Sequence, residues 1–393
     1  MTIRYRRNIN CLTSDQLHDL REAFQGIYDM PEAGGDSFAT IGGIHGLPNP
    51  SWCDHGVPGF FTWHRAYMRA FEKALQCVNS GVMLPFWDWS SGPTTGVPAA
   101  CRESTYVNRD GDTVSNPLYS GPISAAAGGG VTARSATIDT RSFAGPATSA
   151  QAAMSSLTFN SFQGAINGPH GTIHGYVGGQ MGSVPRAGFD PIFFLHHANV
   201  DRLWWNWQQT HPGVTLPSNE ATHALDPFNK PFSTDWYEGA DMESTDDLGY
   251  RYSNWCLWIP PLWVWNLVVV KIDPWMIKQL RNARLVLRSS RMPANSVEFR
   301  AFINPPEESK RTAVEDNPSF AGTVAAFGMD DMEMEARSTS ASFDLEMNIT
   351  EKVRESFEDN AEELKLFIVA LDAEGEPVDP DQVELDDIEL IFE

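Results

Sequence analysis

GPHGTIHGYVGGQMGSVPRAGFDPIFFLHHANVDRLWWNWQ, residues 168–208, is the stretch on which the reading of this chain turns. His170 and His174 stand four residues apart. On a helix that spacing stacks both imidazoles on one face, one turn apart, as a metal pair requires. Gly178, Gly179 and Gly182 then let the chain double back. Asp190 suits the cap of a second helix and Pro191 its first position. His196 and His197 fall on that helix, ahead of the aromatic run Leu203-Trp204-Trp205. Imidazoles from two helices, at least three of them, therefore converge in an apolar, tryptophan-rich setting. A matching group lies upstream in IHGLPNPSWCDHGVPGFFTWHRAYMRAFEKAL, residues 44–75, where His45, His55 and His64 are ten and nine residues apart. His64 sits on a helical pattern with Trp63, Tyr67, Met68, Phe71 and Leu75, which Gly81 would close.

A single histidine on an apolar helix is usually a hydrogen-bonded core residue. Two histidine-only triads on aromatic helices are poorly explained that way. Imidazole suits zinc, copper, iron and nickel, so the ligand type alone does not name the metal. Carboxylate-rich di-iron bundles use Glu and a Glu-x-x-His pattern, which neither triad contains. The HExxH motif is absent, and no cysteines pair at zinc-finger spacing. Two neutral three-nitrogen sites best fit a pair of copper ions that cycles between Cu(I) and Cu(II), with open positions for O2.

These pieces resemble the type-3 copper proteins: tyrosinases, catechol oxidases and molluscan haemocyanins. The resemblance is carried by CDHGVPGFFTWHRAYMRAFE at 53–72, LPFWDW at 84–89, NPLYSG at 116–121, GPHGTIH at 168–174, GGQM at 178–181 and DPIFFLHHANVDRLWWNWQ at 190–208. It covers most of residues 1–255. It implies a mainly α catalytic domain whose four-helix bundle holds a dicopper centre. His45, His55 and His64 would hold one copper, and His170, His174 and His197 the other. His196 then stands behind the ligands, and Asp201, one turn beyond His197, is a candidate hydrogen-bond partner there. In the mollusc and fungal branches a cysteine at the place of Cys53 is joined to the histidine two positions on, which implies a Cys53–His55 thioether. An arginine near Arg7 would stack on a Tyr-x-Tyr pair, matched here by Tyr250-Arg251-Tyr252.

The resemblance also bears on the reaction. Monophenol hydroxylation in the family is often associated with an Asn just after the first ligand of the second copper and with an upstream Glu. Here those positions are Gly171 and Gln163, and a neutral amide is no general base at neutral pH. Gly175 follows the second ligand, so both places should be roomy unless the glycines merely let helices pack closely. Val184 is a candidate gate residue. The expectation is a two-electron oxidase of o-diphenols or o-aminophenols, with weak or absent tyrosine hydroxylation. The alternatives are a true tyrosinase and a haemocyanin-like oxygen carrier.

The chain has 393 residues and a formal net charge of −23, which argues against nucleic acid or an anionic membrane surface as partners. A small phenol is the expected partner, and no signal bears on oligomeric state. The first thirty residues lack the apolar core of a signal peptide, and no later stretch has the length of a membrane span. The expectation is a cytoplasmic protein or a trimmed mature form. Thr13 or Ser14 would cap the first helix, whose His18 lies outside both triads. Residues 91–158 are weakly periodic, with Ala125–Gly130 as a flexible surface excursion. Cys11, Cys77, Cys101 and Cys256 show no bridge-like spacing, so reduced thiols are the default.

The catalytic domain is expected over 1–257, a linker over 258–266, and an antiparallel β-sandwich over 267–393. The last rests on six alternating runs: 283–290, 296–305, 321–329, 340–350, 363–374 and 383–392. This region is acidic, with 28 Asp and Glu against 13 Lys and Arg from residue 261 onward. PSFAGTVAAFG resembles a small β-domain that lies over the copper site in plant and mollusc relatives, with Phe327 or a neighbour as the shielding residue. Met329, Met332 and Met334 are thioethers of the kind that favour Cu(I), though interface packing explains such a run as well.

Overall fold

The computed structural model describes residues 3–49, 52–55, 58–92, 94–228 and 238–253, and beyond them 257–259, 268–271, 280–289, 297–305, 317–326, 343–357, 363–372, 375–378, 383, 385 and 387–392. Helix α1, Ser14–Tyr28, starts at a capping box: Thr13 Oγ1 accepts from the Gln16 amide and Gln16 Oε1 accepts from the Thr13 amide. It buries Leu20, Ala23, Phe24 and Ile27. Helix α2, Phe38–Ile44, is capped by Ser37 and runs out at His45. Helix α3, Phe60–Val78, ends against Asn79 rather than at the expected Gly81.

After a β-hairpin, β2 Thr105–Val107 with β3 Thr113–Ser115, come α4, Ala144–Ala153, and α5, Phe159–Val177. Thr158 caps α5, and Pro169 sits inside it, where it cannot donate the usual helical bond. The turn after α5 requires glycine. Gly179 has φ +53°, and a Cβ there would lie 1.7 Å from the Ala133 carbonyl oxygen. Asp190 accepts from the Ile192 amide and Pro191 opens α6, Pro191–Thr210, which is buried along nearly its whole length. Helix α7, Ser218–Ala221, is one short turn. In the Ala125–Gly130 loop, a 3-10 turn at Ala125–Ala127 buries Ala127 and leads into three glycines at positive φ.

The ends of this unit, residues 1–252, meet in a parallel pair: β1, Arg4–Arg6, beside β4, Tyr250–Tyr252. The arginine on the Tyr-x-Tyr pair is Arg6, with its guanidinium 3.7 Å from the Tyr250 ring centre, while Arg7 reaches Gln16. Strand alternation explains this, because Arg6 is directed into the core where its neighbour faces the opposite way. Cys11 is disulfide-bonded, which corrects the default of reduced thiols; Cys77 and Cys101 take part in no disulfide. Bridge formation depends on distance in space, which spacing along the chain does not encode.

The second unit, residues 253–393, holds two four-stranded antiparallel sheets. The first has the order β10-β7-β12-β5: Phe343–Asn348, Ala283–Ser289, Asp387–Phe392 and Leu257–Ile259. The second has the order β6-β11-β8-β9: Val268–Lys271, Glu363–Leu371, Val297–Ile303 and Phe320–Ala326. Leu285, Leu287 and Leu390 of one sheet share a core with Phe299, Leu364 and Leu366 of the other. All six alternating runs form strands. Helix α8, Thr350–Phe357, was not anticipated; it turns Val353 and Phe357 inward.

The expected domain end at 257 and linker at 258–266 give way to a break after Tyr252, because Leu257–Ile259 hydrogen-bonds to β12 as an edge strand. Phe327, Met329, Met332, Met334 and Cys256, and most of the expected linker, lie outside the described residues. Among the described residues no helix is long and apolar enough to cross a membrane.

Candidate metal centre

Helices α2, α3, α5 and α6 bring the two histidine groups face to face. His45 is the C-terminal cap of α2, His64 lies in the second turn of α3, His170 and His174 share one face of α5, and His197 lies in α6. His55 comes from the segment that enters α3. Within the first triad the ring centres are 5.4, 5.9 and 5.4 Å apart. Within the second they are 4.7, 5.0 and 5.4 Å apart. Across the gap His64 stacks on His197 at 4.3 Å, and His55 faces His170 at 5.8 Å.

One nitrogen of several rings is committed to the backbone. His45 Nδ1 donates to the Val184 carbonyl at 2.7 Å, His64 Nδ1 to Phe60 at 2.7 Å, and His174 Nδ1 to Met181 at 2.9 Å. Each bond places the proton on Nδ1 and leaves the Nε2 lone pair directed inward. His174 Nε2 lies 3.1 Å from His170 Nε2 and 3.2 Å from His197 Nε2. His45 Nε2 and His64 Nε2 are buried without a partner among the described residues. An unpartnered buried acceptor costs about 1–3 kcal/mol, and a metal ion removes that cost for several at once.

Electrostatics favours the same form. Burial, reinforced by neighbouring imidazoles, holds His45, His64, His170 and His197 well below the ordinary histidine range. Burial brings His174 down to about 4 and also lowers His55. The rings are neutral at neutral pH, as metal ligation requires. The donor set fits two three-nitrogen sites of the kind copper takes.

His196 lies beside the second triad but is engaged differently. Trp89 Nε1 donates to His196 Nδ1 at 2.9 Å. A tryptophan N–H only donates, so neutral His196 carries its proton on Nε2 and has no lone pair for a metal. Its ring stacks on His170 at 5.3 Å. Asp201 is not a partner of His197, whose Nδ1 has no partner among the described residues. Its Oδ1 accepts from Arg65 Nε at 2.5 Å, and its Oδ2 from Tyr250, Tyr252 and Arg6 at 2.7, 2.6 and 3.3 Å. The carboxylate is drawn to buried cations, not to a neutral ring. It joins α6 to α3 one residue after His64.

Cys53 Sγ is 3.3 Å from His55 Nδ1. Gly171 and Gly175 are exposed on α5, and a Cβ added at either would meet nothing within 4 Å among the described residues. They are therefore not there for close packing. Val184 exposes its side chain while its carbonyl steadies His45. Gln163 donates to the buried Glu220 at 2.7 Å. The sequence reading missed Phe193, one turn before His197 and 4.7 and 4.3 Å from the His45 and His197 rings; that four-residue spacing was the available signal. It also missed Glu220 and the Asp54–His223 pair at 2.7 Å, for which no local pattern exists.

Residues 35–210 match the family model described as the common central domain of tyrosinase. The chain is 35% identical over 243 residues to haemocyanin G-type, units Oda to Odg, of Enteroctopus dofleini, which spans 58% of this chain and 8% of that protein. It is 34% identical over 185 residues to a tyrosinase of Streptomyces glaucescens, 40% of this chain and 65% of that protein. The chain thus spans less than two thirds of either relative. Its fold is similar to that of a tyrosinase from Burkholderia thailandensis, with TM-score 0.56 and 20% identity over 100% of both chains.

Proposed function

Because the chain belongs to the type-3 copper protein family, we propose that it is a dicopper oxidase that uses O2 to convert o-diphenols or o-aminophenols to o-quinones or quinone imines. Bound at the two triads, the copper pair supplies two-electron redox chemistry with O2. His45, His55 and His64 would hold one ion and His170, His174 and His197 the other. The backbone carbonyls of Val184, Phe60 and Met181 orient three of these rings. Phe60 and Phe193 pack against them and keep the centre apolar. A Cys53–His55 thioether is part of the proposal, supported by the 3.3 Å approach of the two groups.

The observation that carries the oxidase reading is the open space at Gly171 and Gly175, immediately after two of the second-triad ligands. That space supports the approach of a planar phenol beside these two ligands. Weak or absent tyrosine hydroxylation follows from the base. Gln163 is neutral, and the carboxylate behind it, Glu220, already accepts from Gln163 and from the Gly59 amide at 2.7 Å each. A second reading, a haemocyanin-like oxygen carrier, is favoured by the 35% identity to the octopus protein.

The test is to load the protein with copper in air and follow quinone formation from catechol, o-aminophenol and tyrosine in parallel. Turnover of the first two with tyrosine inert is the expected result. Rapid tyrosine hydroxylation defeats the argument from Gln163. No turnover, with reversible oxygen uptake, favours the carrier.

A further inference from the structure

Glu220 stands in no histidine triad, yet three elements of the centre meet at it. It lies on α7 with a relative exposure of 1%. Oε2 accepts from the Gly59 amide and Oε1 from Gln163 Nε2, both at 2.7 Å. Gly59 is the N-terminal cap residue of α3, the helix that carries His64, and has no side chain with which to cap it. Glu220 places negative charge at that helix start, where the backbone dipoles favour it. Gln163 lies on α5, two turns before His170 on the same face. The carboxylate thus joins the helix of one triad to the helix of the other.

The same short segment holds the His55 loop. Two residues beyond Ala221, His223 Nε2 pairs with Asp54 Oδ2 at 2.7 Å, directly before His55. Gly59 is pressed between these groups. It has φ +101°, and a Cβ there would lie 2.4 Å from His223 Cδ2 and 2.8 Å from Asp54 Oδ2. Next in the chain, the Phe60 ring lies 4.9 Å from both His64 and His170. Any shift at Gly59 therefore reaches ligands of both triads.

We propose that Glu220 is a positioning residue that sets the spacing of the two triads, and hence the coupling between two copper ions bound there. The proposal rests on the dicopper reading but not on turnover. Substitution Glu220→Gln keeps the volume but turns an NH2 group toward either Gly59 N–H or Gln163 NH2, donor against donor. The double swap, Gln163→Glu with Glu220→Gln, restores both bonds: the new carboxylate accepts from the new amide, whose oxygen accepts from Gly59.

The experiment loads full-length protein with Cu(II) and measures copper stoichiometry, affinity by chelator competition, and the electron paramagnetic resonance signal, which vanishes when two Cu(II) spins are coupled. In the wild type two coppers and a silent spectrum are expected. In Glu220→Gln the expected result is an uncoupled Cu(II) signal and about 10- to 100-fold weaker binding of one copper, with recovery of both in the double swap. A folded Glu220→Gln protein with wild-type affinity and a silent spectrum overturns the proposal. So does a loss that the swap fails to restore. If Glu220→Gln does not fold, Gln163→Leu removes the α5 arm alone, and a silent, fully loaded spectrum there overturns the proposal as well. A wild type with coupled copper that leaves catechol untouched defeats the oxidase reading only, whereas one that takes up no copper pair defeats both.

Discussion

Substitution Asp201→Asn tests whether one buried carboxylate holds the two metal-bearing helices in register. Asp201 is 3% exposed. It takes Arg65 on one oxygen, and Arg6, Tyr250 and Tyr252 on the other. An asparagine turns its NH2 toward one of these donor sets. Arg6 keeps Glu72 at 2.9 and 3.3 Å. Among the described residues, Arg65 keeps the Met242 and Glu243 carbonyls, at 2.8 and 3.3 Å, and the Trp204 face at 3.6 Å. Removing one partner of a buried ion pair typically costs about 3–5 kcal/mol, because the other charge stays buried. At about 2–4 °C per kcal/mol for a unit of this size, the melting temperature should fall by about 6–20 °C. Thermal unfolding followed by circular dichroism measures it. The control is Asp246→Asn, whose pair with Arg251 at 2.7 Å is about half exposed; solvent screening keeps that loss within about 1 kcal/mol. If Asp201→Asn costs no more than the control, the assignment of Asp201 as a structural hub is wrong.

The histidines make the apoprotein acid-sensitive. Their native pKa values lie below the unfolded value, with His174 at about 4, so below about pH 6.5 the unfolded chain binds more protons. Stability is then fully present above about pH 6.5 and is lost as pH falls toward 4, by about 1.4 kcal/mol per pH unit for each ring that stays neutral. Urea midpoints across that range should decline, and a flat profile would contradict the burial assigned to these rings. Substitution Trp89→Phe removes the donor that fixes the His196 tautomer and lets that ring turn an Nε2 lone pair toward the second triad; copper affinity in chelator competition should change, and an unchanged value would show that the tautomer is irrelevant. Substitution Gly171→Asn should fold normally, since its Cβ meets nothing, and should slow catechol turnover by narrowing the approach, which steady-state kinetics will show. After copper loading, intact mass under denaturing, reducing conditions should be two hydrogens low if the Cys53–His55 thioether forms, and a Cys53→Ala variant should show no deficit.

Much of the centre was legible in the sequence because its signals are local. His170 and His174 share a face through helical period alone, and Thr13 and Asp190 cap helices through chemistry contained within a few residues. The six strand runs in the C-terminal unit follow from alternation. Which nitrogen His45 directs inward was decided by a carbonyl far along the chain, since Val184 accepts the hydrogen bond from His45 Nδ1. Asp201 was assigned to the wrong neighbour because helical spacing gave His197, while the folded chain supplied Arg6 and Arg65 from 195 and 136 residues away. The same limit hid the Cys11 bridge, the role of β5 as an edge strand, and Glu220. Periodicity and capping are properties of neighbouring residues, so the sequence determined the helices and the histidines they carry. Ion pairs, bridges and ring tautomers depend on which distant groups meet after burial, and only the tertiary structure decided those.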